Sequence, residues 1–167
     1  MDLSKGSKIG FSIILAHHVH LGVNARIGHL TFCKPIDTLY IGDDSKIGNK
    51  NYITGFSKYD SLVIKHHHFS HIKNRQCILK IGKHTAITSR HYFDCNGGII
   101  IGDYSEIAGF ETSFMTHSID VKENRQDASP IIIGNYVFVG ARCMFLKGSS
   151  IPNNTIVGAC SMVNNQF

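Results

Sequence analysis

One histidine, His117, stands in the second of two breaks in an otherwise regular apolar pattern. An unperturbed imidazole titrates at a pH of about 6.5, so a histidine beside a binding surface can act as a general base near neutral pH. Such a base needs an acceptor that orients its other ring nitrogen. The candidate acceptors are the carboxylates of Asp94, Glu111 and Asp120. We favour Asp94, because it precedes His117 by roughly one turn of the coiled fold that the sequence repeat predicts.

That repeat has a period of six residues. In its clearest part, an aliphatic or aromatic residue recurs at every sixth position: Ile133, Val139, Phe145, Ile151, Val157 and Val163. This period fits neither an α-helix nor an alternating hairpin strand. Hexapeptide repeats are the sequence form of a parallel β-helix, in which each hexad forms one side of a coil and three sides close a turn. The chain is therefore predicted to be all-β, with a continuous apolar core.

The same frame runs through most of the chain. It places a first group of residues in the core, namely Ile9, Leu15, Leu21, Ile27 and Cys33, and a later group, Ile101, Ile107 and Ser113. The frame fails near residues 58–80 and 114–132, which we predict to be excursion loops. In the first loop, residues 62–64 could form a strand, and the basic stretch 65–75 is either solvated or contacts an anionic substrate. We predict a single domain, 1–167, with about nine coils.

The charge balance favours anionic partners. The net charge is +5 before eleven histidines are counted, which suits coenzyme phosphates, nucleotide-sugars or other anions. No dense Lys/Arg block with interleaved aromatic residues is present, so we expect no nucleic-acid partner.

The cysteines and the N-terminal segment indicate a cytoplasmic protein. The five cysteines are scattered without a C-x-x-C pair, which is typical of free thiols in a reducing compartment. The apolar run at residues 9–16 is short and already lies in the hexad frame, so we expect neither a signal peptide nor membrane insertion.

The break and the hexads after it resemble a known family. Thr116-His117-Ser118-Ile119-Asp120, a loop, and then residues 130–141 (PIIIGNYVFVGA) look like the hexapeptide-repeat O-acetyltransferases. These include galactoside and maltose acetyltransferases and the enzymes that acetylate bacterial surface polysaccharides. The resemblance implies a left-handed β-helix and a homotrimer with its sites between subunits. It also implies acetyl-coenzyme A as co-substrate, with no metal required.

The resemblance also implies roles for individual residues. His117 matches the family's catalytic base, and the backbone N–H of Ala141, which follows Gly140, matches the donor to the oxyanion. Phe138 stands where the family usually has tryptophan beside the coenzyme, and Ala159 matches a small residue along which the pantetheine arm lies. Asn165 stands where lysine is usual beside the coenzyme, which is a departure from the family pattern.

The acceptor pocket is harder to predict. Arg90, His91 and Asn96 share a coil with Asp94 and could line it. Asn96 falls near the place where the sugar acetyltransferases have an acidic sugar-binding residue, so the family's acceptor cannot simply be transferred to this chain. We expect O-acetylation of a sugar hydroxyl in a surface polysaccharide or its precursor.

Three alternatives remain at this point. N-acetylation of a nucleotide-linked amino sugar would use the same base and the same coenzyme face. A zinc-dependent hydrase similar to the carbonic anhydrases of this fold would need three histidine ligands, and only His66 and His71 have an H-x4-H spacing. A non-catalytic scaffold would not need a loop that begins with Thr116 and His117.

Overall fold

The computed structural model describes residues 1–59 and 68–164. They form a left-handed parallel β-helix with three seven-stranded parallel sheets, which confirms the predicted fold class. The described residues contain no helix long and apolar enough to cross a membrane.

Each coil contributes one strand to each of the three sheets. The first sheet contains β1 (Asp2–Leu3), β4 (His18–Leu21), β7 (Thr38–Ile41), β10 (Ile78–Ile81), β13 (Ile99–Ile101), β18 (Ile131–Ile133) and β21 (Ser150–Ile151). The second sheet contains β2 (Lys8–Ile9), β5 (Arg26–Ile27), β8 (Lys46–Ile47), β11 (Ala86–Ser89), β14 (Glu106–Phe110), β19 (Phe138–Val139) and β22 (Ile156–Val157). The third sheet contains β3 (Ile13–Ile14), β6 (Phe32–Cys33), β9 (Tyr52–Thr54), β12 (Tyr92–Asp94), β15 (Ser113–Met115), β20 (Met144–Leu146) and β23 (Met162–Val163).

The core consists of inward-facing residues stacked on their equivalents in the next coil, with two such residues per strand in β4, β7, β10, β13 and β18. In the third sheet, the rings of Phe93, Phe114 and Phe145 are stacked with centroids 4.9 Å apart. All three rings are completely buried. Stacking of this kind buries apolar surface coil by coil, which is how a solenoid is stabilised.

At two places the six-residue repeat predicts the wrong core residue, by one position. Ile14, rather than Leu15, pairs with Cys33, and Leu15 is 49% exposed. Phe114, rather than Ser113, pairs with Phe93, because β14 contains an extra residue and the register shifts before Phe110. The coil count is also wrong: the described residues form seven coils instead of about nine, since the two excursions take up much of the chain.

The first excursion connects β9 to β10 and is anchored at both ends by Asp37. This buried carboxylate accepts hydrogen bonds from Ser57 Oγ (2.7 Å), the Lys58 N–H (2.9 Å) and the Cys77 N–H (3.2 Å). The excursion ends before Ile78, so the predicted boundary at residue 80 is too late. The strand expected at residues 62–64 lies outside the described residues.

The second excursion is an antiparallel hairpin of β16 (His117–Asp120) and β17 (Arg125–Ala128). It is shorter than the predicted loop 114–132, because residues 114–115 belong to β15 and residues 131–132 to β18. The hairpin leaves the solenoid at the corner after the third sheet.

The cysteines are free, as the sequence predicts. Cys33, Cys77, Cys95 and Cys143 are buried, and only Cys160 is exposed. Burial raises the pKa of the Cys33 and Cys77 thiols to about 12. These two thiols therefore stay protonated in the core and act as small apolar groups.

Candidate active site

The corner after the third sheet is fixed by Thr116. Its buried hydroxyl donates to the Asp94 carbonyl oxygen (2.6 Å) and accepts from the Gly97 N–H (2.7 Å). These two bonds join the chain that enters the hairpin to the coil beneath it. His117, the next residue, is therefore held directly beside Asp94.

His117 and Asp94 form a closely spaced pair, as the sequence predicts. Nδ1 of His117 lies 2.5 Å from Oδ2 of Asp94, and the His117 backbone N–H donates to the same oxygen at 3.2 Å. The other oxygen of Asp94 accepts from the side-chain and backbone nitrogens of Asn96, at 2.6 and 3.2 Å. Donors thus surround a carboxylate whose side chain is only 1% exposed, an arrangement that satisfies a buried charge.

The short contact determines which ring nitrogen of His117 can accept a proton. An Nδ1–H donated to Asp94 leaves the lone pair on Nε2, on a side chain that is 31% exposed. The hydrogen bond to Asp94 raises the pKa of His117 above its usual value, and partial burial of the ring offsets some of this effect. The neutral form of His117, with its lone pair on Nε2, is therefore reached at a higher pH than in a free histidine.

Asn96 positions Asp94 and does not line an acceptor pocket, contrary to the prediction. It is only 2% exposed, and its Oδ1 accepts from the Phe56 N–H at 2.8 Å. Arg75 donates to the carbonyl oxygens of both Asn96 and Phe56, at 3.0 and 2.8 Å. The first excursion is therefore hydrogen-bonded to the support of the dyad. No pattern in the sequence predicts this contact, because it joins residues in separate parts of the chain.

His91 is also wrongly predicted as an acceptor contact. It is 1% exposed, its Nδ1 accepts from the Thr112 N–H (3.1 Å), and its Nε2 is bonded to the Thr88 hydroxyl (2.9 Å). Burial lowers its pKa to about 4, so the ring is neutral near pH 7. With both nitrogens bonded in the interior, His91 has no surface on which to contact a substrate.

Arg90 is not brought to His117 within one chain. It precedes β12, whereas Asp94 is the last residue of that strand, so the two lie on the order of 13 Å apart along an extended chain. The Arg90 guanidinium instead lies over the ring of Phe110, 4.6 Å from its centroid.

The other two carboxylates proposed to orient His117 bind elsewhere. Glu111 accepts from Nε of Arg142 at 3.2 Å. Oδ1 of Asp120 accepts from the backbone N–H groups of Lys122 and Glu123 in the hairpin turn.

A cavity of about 260 Å³ borders His117 on the side of the later coils. Its walls include the apolar side chains of Met115 and Leu146. Lys147 lines the same cavity and forms an ion pair with Asp127 of β17, which holds the pKa of that carboxyl below its usual range. This pair joins the hairpin to the coil beside it. Lys147 was not predicted, because its position in the repeat does not distinguish it from a solvated lysine.

The corner before the third sheet has an unusual feature at Ala141. At most other corners of the described chain, although not at Asp43, the residue after the glycine donates its N–H to a side chain of the next coil. Asn135, for example, donates to Oδ1 of Asn153 at 2.8 Å, and His29 donates to Oδ1 of Asn49 at 2.7 Å. The equivalent residue above Ala141 is Ala159, which has no acceptor. Within residues 1–59 and 68–164, the Ala141 N–H therefore has no hydrogen-bond partner.

The remaining predicted coenzyme contacts lie near this corner, apart from Asn165, which lies outside the described residues. Phe138 faces outward from β19 and is 44% exposed. Gly140 lies so close to the next coil that a Cβ on it would be 2.6 Å from the Ala159 backbone nitrogen. Ala141 precedes β20, whereas His117 lies beyond the far end of the third sheet, on the order of 15 Å away along the strand direction.

Comparisons with known proteins agree with this architecture. No protein-family model and no curated relative matches the chain. A hexapeptide-repeat containing acetyltransferase from Vibrio cholerae is 29% identical, with a TM-score of 0.50, over 53% of this chain and 52% of that chain. The chain thus spans about half the length of that protein. LpxA from Acinetobacter baumannii matches over 99% of this chain and 63% of its own, with a TM-score of 0.52. Its identity is 15%, so it shows the fold alone.

Fold and site together define a left-handed β-helix protein with a histidine–aspartate dyad at the base of a hairpin. The similarity to the Vibrio cholerae acetyltransferase confirms the resemblance to the hexapeptide-repeat acyltransferase family, and the similarity to LpxA confirms the fold.

The dyad makes a direct prediction about the titration of His117. In an Asp94→Asn variant, the negative charge that favours the imidazolium is lost while partial burial of the ring remains. We expect the pKa of His117, measured by NMR titration of the ring, to fall below its wild-type value. An Asp2→Asn variant, which changes only the exposed partner of His20, should leave His117 unchanged. An unaltered His117 pKa in Asp94→Asn would show that the carboxylate does not control this ring.

Proposed function

We propose that this protein is an acetyl-coenzyme A-dependent O-acetyltransferase that acts on a sugar hydroxyl of a surface polysaccharide or its precursor. The observation that carries the proposal is the contact of 2.5 Å between Nδ1 of His117 and Asp94, which leaves Nε2 available as a base. The family resemblance and the similarity to the Vibrio cholerae acetyltransferase support the acyl-transfer class.

In the proposed reaction, Nε2 of His117 takes the proton of the acceptor hydroxyl as its oxygen attacks the thioester carbonyl carbon. The tetrahedral intermediate then collapses, the carbon–sulfur bond breaks, and the coenzyme leaves as a thiol after receiving the proton from the imidazolium. The products are an acetyl ester and free coenzyme A. Asp94 keeps its charge throughout and stabilises the imidazolium, because its oxygens remain hydrogen-bonded.

The oxyanion of the intermediate needs a donor about 3 Å away that is not already bonded. The Ala141 N–H meets the second condition, since Ala159 offers it no acceptor. Within one chain, however, the Ala141 N–H is too far from a thioester placed beside His117, because His117 lies at the opposite edge of the third sheet. We therefore propose a homotrimer in which Ala141 of one subunit faces His117 of the next.

The surface around Ala141 is suited to a thin, extended coenzyme arm. Ala159 is exposed and small, and Phe138 offers the face of a partly exposed ring. Small residues at this corner would let the arm approach the backbone closely enough for its thioester to reach the Ala141 N–H.

The first test is a His117→Ala variant, with coenzyme release measured over a panel of sugars. Loss of a general base should lower kcat on the order of a hundredfold or more. His84→Ala, which removes a half-exposed imidazole stacked on Tyr104 at the corner between β10 and β11, should retain wild-type turnover. Undiminished turnover in His117→Ala would remove this residue from the mechanism. Transfer to amino sugars but not to their hydroxyl analogues would instead favour the N-acetyltransferase alternative.

A second test concerns the free N–H of Ala141. In an Ala159→Asn variant, the new side-chain oxygen should accept the Ala141 N–H, just as Oδ1 of Asn49 accepts the N–H of His29. In both cases the accepting residue lies directly above a glycine of the neighbouring coil. We expect thermal stability to be kept or raised, while kcat falls by roughly two to three orders of magnitude, as when an oxyanion donor is removed. Ala159→Leu has a side chain of similar size without an acceptor, and it should lower kcat less. Equal losses in the two variants would indicate that crowding, rather than the hydrogen bond, is responsible.

A further inference from the structure

A second cavity, of about 520 Å³, lies between the hairpin and the first excursion. The hairpin contributes Ile119, Asn124, Arg125 and Gln126, and the excursion contributes His68, Ser70 and His71. None of these residues belongs to the predicted catalytic or coenzyme-binding set.

This cavity adjoins the face of the hairpin that carries His117. Ile119 follows His117 by two residues on β16, so their side chains point to the same face and lie about 6.6 Å apart along the strand. On that side, the edge of the Phe69 ring meets the His117 ring, with centroids 6.1 Å apart. A molecule in the cavity can therefore extend toward the base over a distance on the order of one sugar ring.

Arg125 lines the cavity and is only weakly paired. The described carboxylate nearest to Arg125 is that of Glu123, 4.0 Å from Nη2, and both side chains are about half exposed. A pair at this distance and exposure leaves most of the guanidinium donors free for another anion. His71, on the opposite wall, adds a second group that carries positive charge when protonated.

The other acidic groups of the hairpin are engaged elsewhere. Asp127 is paired with Lys147, and Oδ1 of Asp120 accepts two backbone N–H groups in the turn. Arg125 is the cation that the hairpin contributes to the lining of the cavity.

Gln126 adds an unsatisfied hydrogen-bond acceptor to the same wall. Its Oε1 is buried and has no donor among the residues that the structure describes. A buried acceptor without a donor is unfavourable, and a hydroxyl group of a ligand would relieve it when the Gln126 side chain turns this oxygen toward the cavity. The cavity thus offers a cation for an anionic group and an acceptor for a hydroxyl.

We propose that this cavity binds a negatively charged group of the acceptor, a carboxylate or a phosphate on a sugar, while a neighbouring hydroxyl of that sugar donates to Gln126. The proposal rests on the proposed acyl transfer at His117 and adds the substrate class: anionic carbohydrate rather than neutral sugar. Arg125 is the specificity-determining residue.

The test compares wild-type protein with Arg125→Gln on glucose, glucuronate and glucose 6-phosphate. We expect wild-type protein to prefer one or both anionic sugars, and Arg125→Gln to raise KM for them about tenfold, as loss of one charge-assisted hydrogen bond does. KM for acetyl-coenzyme A and for glucose should not change. Lys122→Gln removes the same charge from the same hairpin outside the cavity, and it should leave all these constants unaltered. A larger effect with glucose 6-phosphate than with glucuronate would identify the anion as phosphate, and the reverse would identify it as carboxylate.

Equal acetylation of the three sugars, or an equal effect of Arg125→Gln and Lys122→Gln, would overturn this inference without touching the role of His117. A failure of the proposed function has a different signature, since no sugar would then be acetylated in a His117-dependent way. Equilibrium binding provides a readout that is independent of turnover. The His117→Ala variant should still bind the anionic sugar, and adding Arg125→Gln should weaken that binding about tenfold.

Discussion

The stacking of equivalent inward-facing residues in successive coils is the constraint on which the rest of the structure depends. Pairs such as Ile101 with Ile133 stay in register although 32 residues separate them, because any extra chain must leave the solenoid between strands. The chain inserted between these coils therefore projects at a corner as a hairpin. The core cannot move to accommodate a site, so the first residue of that hairpin, His117, has a position as rigid as the coils beneath it.

The same rigidity makes a buried carboxylate tolerable. Asp94 lies at the end of a core strand, where its charge would be costly without partners. Two donors from Asn96 and the ring and backbone of His117 supply them, and Thr116 fixes the geometry. The first excursion supports this arrangement from outside through Arg75 and Phe56, so two insertions far apart in sequence meet at one dyad.

Much of this could be predicted from the sequence, because a six-residue period specifies a solenoid whatever the details of its loops. The dyad was also predictable, since Asp94 precedes the histidine by one coil. The one-residue shift at Phe114 was not, because it depends on a bulge that spacing does not reveal. Asn96 and His91 were misjudged, because polar residues at corners look alike in sequence whether their side chains point inward or outward. The role of Lys147 could not be predicted, because its partner Asp127 is in the hairpin, where the six-residue repeat gives no information on contacts.

The central claim is that each site combines His117 of one subunit with Ala141 of its neighbour. The most direct measurement is the activity of oligomers assembled from equal amounts of His117→Ala and Ala159→Asn chains, each of which alone is expected to keep no more than about a hundredth of wild-type activity. Random assembly across a cyclic interface pairs an intact histidine with an intact Ala159 corner in about a quarter of the sites, so up to about a quarter of wild-type activity should return. If each site lies within one chain, no intact site can form. Mixed oligomers as inactive as their parents would contradict the account.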